Sequence, residues 1–396
     1  VDVRQATSED LLSGLAPILH YSGHRPTEEK VGWFVRVITP ERMRIAEENG
    51  TVVGAAAAFA FELTVPGAIV SAAGVTVVGV LPTHRRRGVF TELMRGLTDD
   101  AHDRGEPLAV LWASEETLYE RFGFGLASLC GEFDLLRIHG GFRRVPEHGG
   151  SFRLLEPDEP VGVLPSVYDR VAAATPGMFA RTRDWWEARI LHDPEDRREG
   201  SGELARVVLE RDGETLAYAL YRLKLGFEAG SSTGEVNVVE AMGVSAEATA
   251  GIWRYLLDID WMERVRAELL PIDHPLFLLL EQPRRLRFRL TDSLWLRLVD
   301  VGAALAARSL EGDVVLEVGD AFCPWNDARY ALDGSKTMEE ADLRLDVSDL
   351  ATVYLGGFTF AQLLRAGRIE EITEGAVDRA DAAFRTDRAP WCPEIF

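Results

Sequence analysis

A chain of 396 residues with 46% apolar side chains is long enough for two or three domains with cores of their own. Its formal charge of −21, from 64 acidic against 43 basic residues, disfavours nucleic acid and anionic membranes as partners and favours cationic ones. No stretch is long and uncharged enough to span a bilayer, and Cys130, Cys323 and Cys392 form no C-x-x-C pair, so neither a zinc site nor a disulfide framework is expected. The opening "VDVRQATSED" has neither the basic start nor the apolar run of a signal peptide, and a cytoplasmic protein is the expectation.

The first element is a short strand at Val3. "TSEDLLSGLAPILH" follows as a helix with Leu11, Leu12, Leu15, Ile18 and Leu19 on one face, where Thr7 or Ser8 can cap its start. A second helix carries Trp33 and Phe34. "MRIAEENGTVVGAAAAFAFEL" then reads as a hairpin, because Asn49 and Gly50 tolerate the positive φ of a two-residue turn. "AIVSAAGVTVVGVLP" is a long strand. "GVFTELMRGLTDDAHDRG" is a helix with Val89, Phe90, Leu93, Met94, Leu97 and Ala101 inward. "PLAVLWAS" is a buried strand, "ETLYERFGF" a short helix ending at Gly123, and "GEFDLLRI" a further strand. This order describes a mixed α/β sheet. The Gly-rich, charged stretch "HGGFRRVPEHGG" at 139–150 reads as a domain junction.

The next segment repeats the first. "ARVVLERDGETLAYALYRL" mirrors the first hairpin, with Asp212-Gly213 at its turn. "EVNVVEAMGVSAEATAGIWRYLLDI" mirrors the strand and helix that follow. Where the first copy has an arginine run, the second has Ala246 to Ala250, so a site on that run would exist only once. A third segment from near Leu290 opens with a strand and helix in "SLWLRLVDVGAALAARSL". It closes on "RAPWCPEIF", a tail that is apolar and aromatic where a free tail is usually polar.

The densest positive cluster lies in "VLPTHRRRGVFT", residues 80 to 91, between a strand end and a helix start. Three roles compete for it: a solvated turn, a nucleic-acid patch, or a cradle for a phosphorylated cofactor. Helix N-termini expose unpaired N–H groups and partial positive charge that suit phosphate. Gly88 lets backbone approach closely, and the arginines add bidentate donors. The placement favours a pyrophosphate cradle, although neither a Walker pattern nor G-x-G-x-x-G is present.

Arg85-x-x-Gly88 after "VVGV" resembles the acetyl-CoA motif Q/R-x-x-G-x-G/A of the GCN5-related N-acetyltransferases (GNATs), with Phe90 in place of the last small residue. "PTHRRRG", "ASEETLYERFGFG" and the three-part length make the whole chain similar to the Eis (enhanced intracellular survival) family of acetyltransferases. That resemblance implies an α/β fold with tandem GNAT-like mixed-sheet domains, the second degenerate. A sterol-carrier-protein-like α+β domain would follow. The implied boundaries are 1–145, 146–288 and 289–396, the last domain sending its C-terminus to the active site.

The resemblance also implies acetyl-CoA as cosubstrate, no metal, and direct transfer to amines of polycationic small molecules such as aminoglycosides, possible at several positions. A homo-oligomer, commonly a hexamer, is typical of the family. Val78, Gly79 and Val80 would pair with the pantetheine arm, and Arg86, Arg87, Gly88, Val89, Phe90 and Thr91 would wrap the pyrophosphate. Ser114 would lie near the thioester. Tyr119 would protonate the leaving thiolate, and the α-carboxylate of Phe396 would act as general base. Trp33 would line the acceptor pocket, and Glu394 would add negative charge there.

The chemistry is coherent on general grounds. An amine must lose a proton as it attacks a thioester, and a thiolate leaves more readily when protonated. A tyrosine hydroxyl, with a pKa of about 10, is protonated at neutral pH. A terminal carboxylate becomes a better base when buried. Bland alternatives stay open: Tyr119 and Trp33 as packing residues, Phe396 as an apolar plug, His84 as a turn residue. Two rival functions also stand. One is a protein or peptide lysine acetyltransferase with a shallow groove. The other is a lipid-binding module with a relic acetyltransferase domain, which an apolar tunnel in the C-terminal segment would favour.

Overall fold

The computed structural model describes residues 1–144, 147–156, 159, 161–308 and 310–396. The expected boundary at 145/146 falls outside the described residues. Two units emerge. One comprises Val1–Ser128, Ser293–Pro390 and Ile395–Phe396, and the other Leu129–Asp292 and Trp391–Glu394. Among the described residues no helix is long and apolar enough to cross a membrane.

The first unit begins with strand β1 (Asp2–Gln5) and two short helices, α1 (Asp10–Gly14) and α2 (Ala16–Tyr21). Sequence periodicity predicts one helix here. Pro17 cannot donate to the preceding turn, and the chain starts a second helix around it. Glu9 is the N-cap of α1 and no side chain caps it. The hydroxyl of Thr7 donates to Asp10 instead. Helix α3 (Glu28–Val37) follows, then β2 (Met43–Glu48), β3 (Thr51–Val65), β4 (Ala68–Val80), α4 (Val89–Asp103) and β5 (Leu108–Trp112). The β2–β3 turn has Asn49 at φ 53° and Gly50 at φ 77°, the left-handed pair its sequence predicts.

The sheet runs β1-β2-β3-β4-β5, then Leu294–Leu298, then Gly125–Leu126. Strand Leu294–Leu298 pairs antiparallel with β5, so the C-terminal segment completes the first sheet. Five of the six apolar positions expected to face inward on α4 are buried, and Phe90 is the exception. "ETLYERFGF" forms two 3-10 turns, Glu116–Leu118 and Glu120–Phe122, rather than an α-helix. A second, four-stranded sheet in this unit joins Ala328–Tyr330, Leu316–Gly319, Leu343–Asp346 and Glu370–Glu371.

The second unit has a seven-stranded sheet of its own. The hairpin Ala205–Arg211/Glu214–Lys224 turns at Asp212 (φ 54°) and Gly213 (φ 82°). Strand Gly234–Gly243 is parallel to Met262–Leu270, with helix Ala246–Asp258 between them. This repeats the β2–β3, β4–α4–β5 order. Strand Leu129–Leu136, which the chain order suggests for the first sheet, pairs with Met262–Leu270 and Arg289–Asp292 in the second. Its partners lie more than a hundred residues downstream, beyond the reach of a local pattern.

Candidate active site

The site forms where β4 and β5 part. They pair as parallel strands only at Ala72↔Leu108, Ala73↔Ala109 and Gly74↔Val110, while β4 continues to Val80. Beyond Gly74 no strand among the described residues pairs with the β5-facing edge of β4, and an extended ligand can add there by main-chain hydrogen bonds. On its other edge β4 slips against β3. Ala57 pairs with Thr76 but Ala55 with Gly79, leaving Val77 and Val78 opposite Ala56. Val77 adopts φ 56°, an uncommon conformation for a β-branched residue, as expected of a bulge that bends the strand. Gly79 fits under α2: a Cβ there would lie 3.0 Å from the backbone nitrogen of Ile18. The Tyr21 hydroxyl donates to the Val80 carbonyl at 2.7 Å.

The arginine loop closes the end of this cleft. Arg86 (φ 62°) and Gly88 (φ 83°) are both left-handed and turn the chain tightly into α4. The α4 N-cap is Gly88 and no side chain caps it, so the first N–H groups of a fifteen-residue helix stay available to an anion. A 560 Å³ cavity opens on this helix start. It is lined by Val78, Gly79, Val80, Arg85, Arg86, Gly88, Val89, Phe90 and Thr91, together with Ser114 and Tyr119.

Eleven of the fifteen sequence-predicted site residues therefore meet around one cavity. Arg87 is not among them. It turns to Glu48 at 2.6 Å, and His84 Nε2 meets the same carboxylate at 2.8 Å. Arg87, and then His84, lower the Glu48 carboxyl to about 2. Arg87 and His84 tie the loop to the end of β2. The cation that does face the cavity, beside Arg85 and Arg86, is Arg121, whose guanidinium stacks 4.8 Å over the Phe122 ring. Sequence reasoning missed Arg121, Tyr21 and the bulge at Val77, and only the basic charge of Arg121 next to Tyr119 gave a signal.

Tyr119 is 5% exposed and sits between Phe90 and Phe124, with ring centroids 6.0 and 6.1 Å away. Burial raises its pKa, a hydrogen bond with Ser114 opposes this, and the charge of Glu115 adds to it. The hydroxyl is thus protonated at neutral pH.

Phe396 and Trp33 do not line the cavity but belong to an aromatic series that reaches the strand split. Trp33 meets Phe34 at 5.7 Å, Phe34 meets Phe59 at 5.8 Å, Phe59 stacks on Phe61 at 5.8 Å, and Phe61 meets the buried Phe396 ring edge-on at 4.9 Å. Gly74 makes room for this series, since a Cβ there would lie 2.2 Å from the Phe61 ring. Glu394 is placed differently from expectation. Its carboxylate is buried in the second unit, accepting from Arg181 Nε at 2.6 Å and Trp185 Nε1 at 2.9 Å, because Arg181 needs anionic partners where it is wholly buried.

The repeated element of the second unit is closed by comparison. Ser245 caps helix Ala246–Asp258, its hydroxyl accepting from Ala248 N. A Cβ on Gly243 would lie 2.5 Å from Thr249 N, so the helix start abuts the strand end. In the C-terminal segment, a 690 Å³ groove carries Glu317, Asp327, Arg329, Arg344, Asp346, Arg368 and Glu370 and is open and charged rather than an apolar tunnel. Among the described residues no cluster of His, Cys, Asp or Glu could hold a metal ion.

Comparison with known proteins matches residues 2–127 and 177–298 to acetyltransferase (GNAT) domains and 301–393 to a sterol carrier protein domain. An N-acetyltransferase of Streptomyces avermitilis is 43% identical over 363 residues, 88% of each chain. The N-acetyltransferase Eis of Mycobacterium tuberculosis is 33% identical over 381 residues, 91% of this chain and 90% of that one. The crystal structure of Eis1 from Mycobacterium abscessus superposes over the full length of both chains with a TM-score of 0.85 at 31% identity.

Proposed function

The chain belongs to the Eis family of GCN5-related N-acetyltransferases, and from that premise we propose that it acetylates polycationic small molecules, aminoglycosides among them, at one or more amino groups. Acetyl transfer from acetyl-CoA to amines is the activity of the family, and the acceptor class is our reading. The observation that carries it is the cavity at the uncapped start of α4, lined by Arg85, Arg86 and Arg121 and by a buried, protonated Tyr119. The chain's excess of acidic residues suits a cationic acceptor.

The residues divide the work as follows. The loop and the first N–H groups of α4 bind the pyrophosphate, and the free edge of β4 at Val78–Val80 orients the pantetheine. The amine nitrogen attacks the thioester carbonyl and forms a C–N bond. As the C–S bond breaks, Tyr119 gives its proton to the departing sulfur. The amine proton passes to a base, which we assign to the Phe396 α-carboxylate, supported by the ring contact that holds Phe396 on Phe61. Glu394 anchors the tail rather than charging the acceptor pocket. Functionally we divide the chain at 1–145, 146–288 and 289–396, and we expect a homo-oligomer. The charged lining of the C-terminal groove does not favour the lipid-binding alternative. Mass spectrometry of an amine library incubated with acetyl-CoA tests the proposal: polyamines and aminoglycosides should gain one or more acetyl masses. Acetylation of peptide lysines alone would overturn it.

A further inference from the structure

The turn that carries Tyr119 is too short to hold itself. It consists of two three-residue 3-10 turns, and the Tyr119 carbonyl accepts from Phe122 N at 2.9 Å and Phe124 N at 3.4 Å. The next link comes from about 175 residues downstream in sequence. Arg297, fully buried on strand Leu294–Leu298, donates Nη1 to the Phe122 carbonyl. Its Nη2 donates to Asp320 Oδ2 at 2.6 Å. Asp320 is held in turn, its Oδ1 accepting from Phe322 N at 3.1 Å and Cys323 N at 2.8 Å, and its Oδ2 from Asn326 Nδ2 at 3.0 Å. The Phe322 ring meets Phe122 edge-on at 5.0 Å. Gly123, left-handed at φ 78°, keeps the path clear: a Cβ there would lie 1.6 Å from Arg297 Nη1.

A buried ion pair of this kind adds little net stability over apolar residues of the same volume, so its value lies in the geometry it imposes. That geometry runs without a gap from Asp320 through Arg297 and the Phe122 peptide to Tyr119. We propose that Arg297 is a positioning residue for acetyl transfer, fixing through the Phe122 carbonyl the place of the Tyr119 hydroxyl. Asp320, within the sterol-carrier-like stretch at 301–393, would then serve acid catalysis by holding Arg297 in place. The inference rests on Tyr119 being the proton donor.

Four enzymes test it: the parent, Arg297→Met, Tyr119→Phe and the double variant, each assayed for kcat, KM for acetyl-CoA and CoA stoichiometry. Arg297→Met should lower kcat about 100-fold, the cost of misplacing a reacting group by about 1 Å. KM and one CoA per chain should be unchanged. On the Tyr119→Phe background the same substitution should change kcat by less than about threefold, because the group it positions is gone. Equal losses on both backgrounds would reduce Arg297 to a packing role and overturn the inference while leaving Tyr119 as the acid. A fully active Tyr119→Phe enzyme would overturn the acid assignment itself and this inference with it. Asp320→Asn keeps the volume and the Oδ1 contacts but removes the charge that holds Arg297. It should show the same background dependence, and it serves if Arg297→Met does not fold.

Discussion

Replacing Gly74 with alanine is a small change placed where the structure has no room for it. The new Cβ would lie 2.2, 2.5 and 2.9 Å from three atoms of the buried Phe61 ring. Ordinary carbon–carbon contact needs about 3.5 Å, so the ring must withdraw by about 1.3 Å. Overpacking of this kind costs about 1–3 kcal/mol of stability. The larger effect falls on catalysis, because Phe61 carries the Phe396 ring at 4.9 Å, and a misplacement of about 1 Å costs about 100-fold in rate. On β4 the cavity proposed for acetyl-CoA is lined only by Val78, Gly79 and Val80, not by Gly74, and should be untouched. Thiol-release kinetics and calorimetric titration with CoA on one preparation separate the two: kcat should fall steeply and the CoA affinity should hold. A Gly74→Ala enzyme that folds, binds CoA and keeps full kcat would refute the reasoning that links the strand split, Phe61 and Phe396.

Three further outcomes follow from the geometry. Arg86→Ala or Arg121→Ala should weaken CoA by about 1–3 kcal/mol, whereas Arg87→Ala, whose partner is Glu48 at an exposed site, should leave CoA affinity nearly unchanged; calorimetry with equal losses at all three would contradict the placement of Arg87. Ser245→Ala in the second unit should remove about 1 kcal/mol of stability as a lost cap and leave CoA binding at one per chain, and a second CoA site found in the parent enzyme would show that the repeat is not closed. Extending the chain by a few residues after Phe396 converts the α-carboxylate into an amide, and kcat should drop sharply without loss of CoA affinity; an extended enzyme that turns over as fast as the parent would move the base elsewhere.

The residues that line the cavity at the start of α4 were legible as a group because they are nearly contiguous. A strand end, a glycine-containing basic loop and an amphipathic helix lie within about a dozen residues, and their chemistry is local. The hairpins were legible for the same reason, in Asn49-Gly50 and Asp212-Gly213. What remained hidden depends on distant partners. Arg87 reads as a phosphate ligand until Glu48, 39 residues earlier, is seen to hold it. Glu394 reads as a free tail charge until Arg181, 213 residues earlier, claims it. The bulge at Val77 is a property of register between β3 and β4 and leaves no mark in a run of valines. The helix expected in "ETLYERFGF" gives way to 3-10 turns because the segment is anchored by Arg297 and Asp320 from outside its own periodicity.

Tyr119→Phe tests most directly whether Tyr119 protonates the CoA sulfur as the C–S bond breaks. The phenyl ring keeps the contacts with Phe90 and Phe124 and removes only the hydroxyl. A general acid contributes about 100- to 10,000-fold. The kcat should fall by that order, with calorimetric CoA affinity and one site per chain unchanged. A Tyr119→Phe enzyme with parental kcat would contradict it.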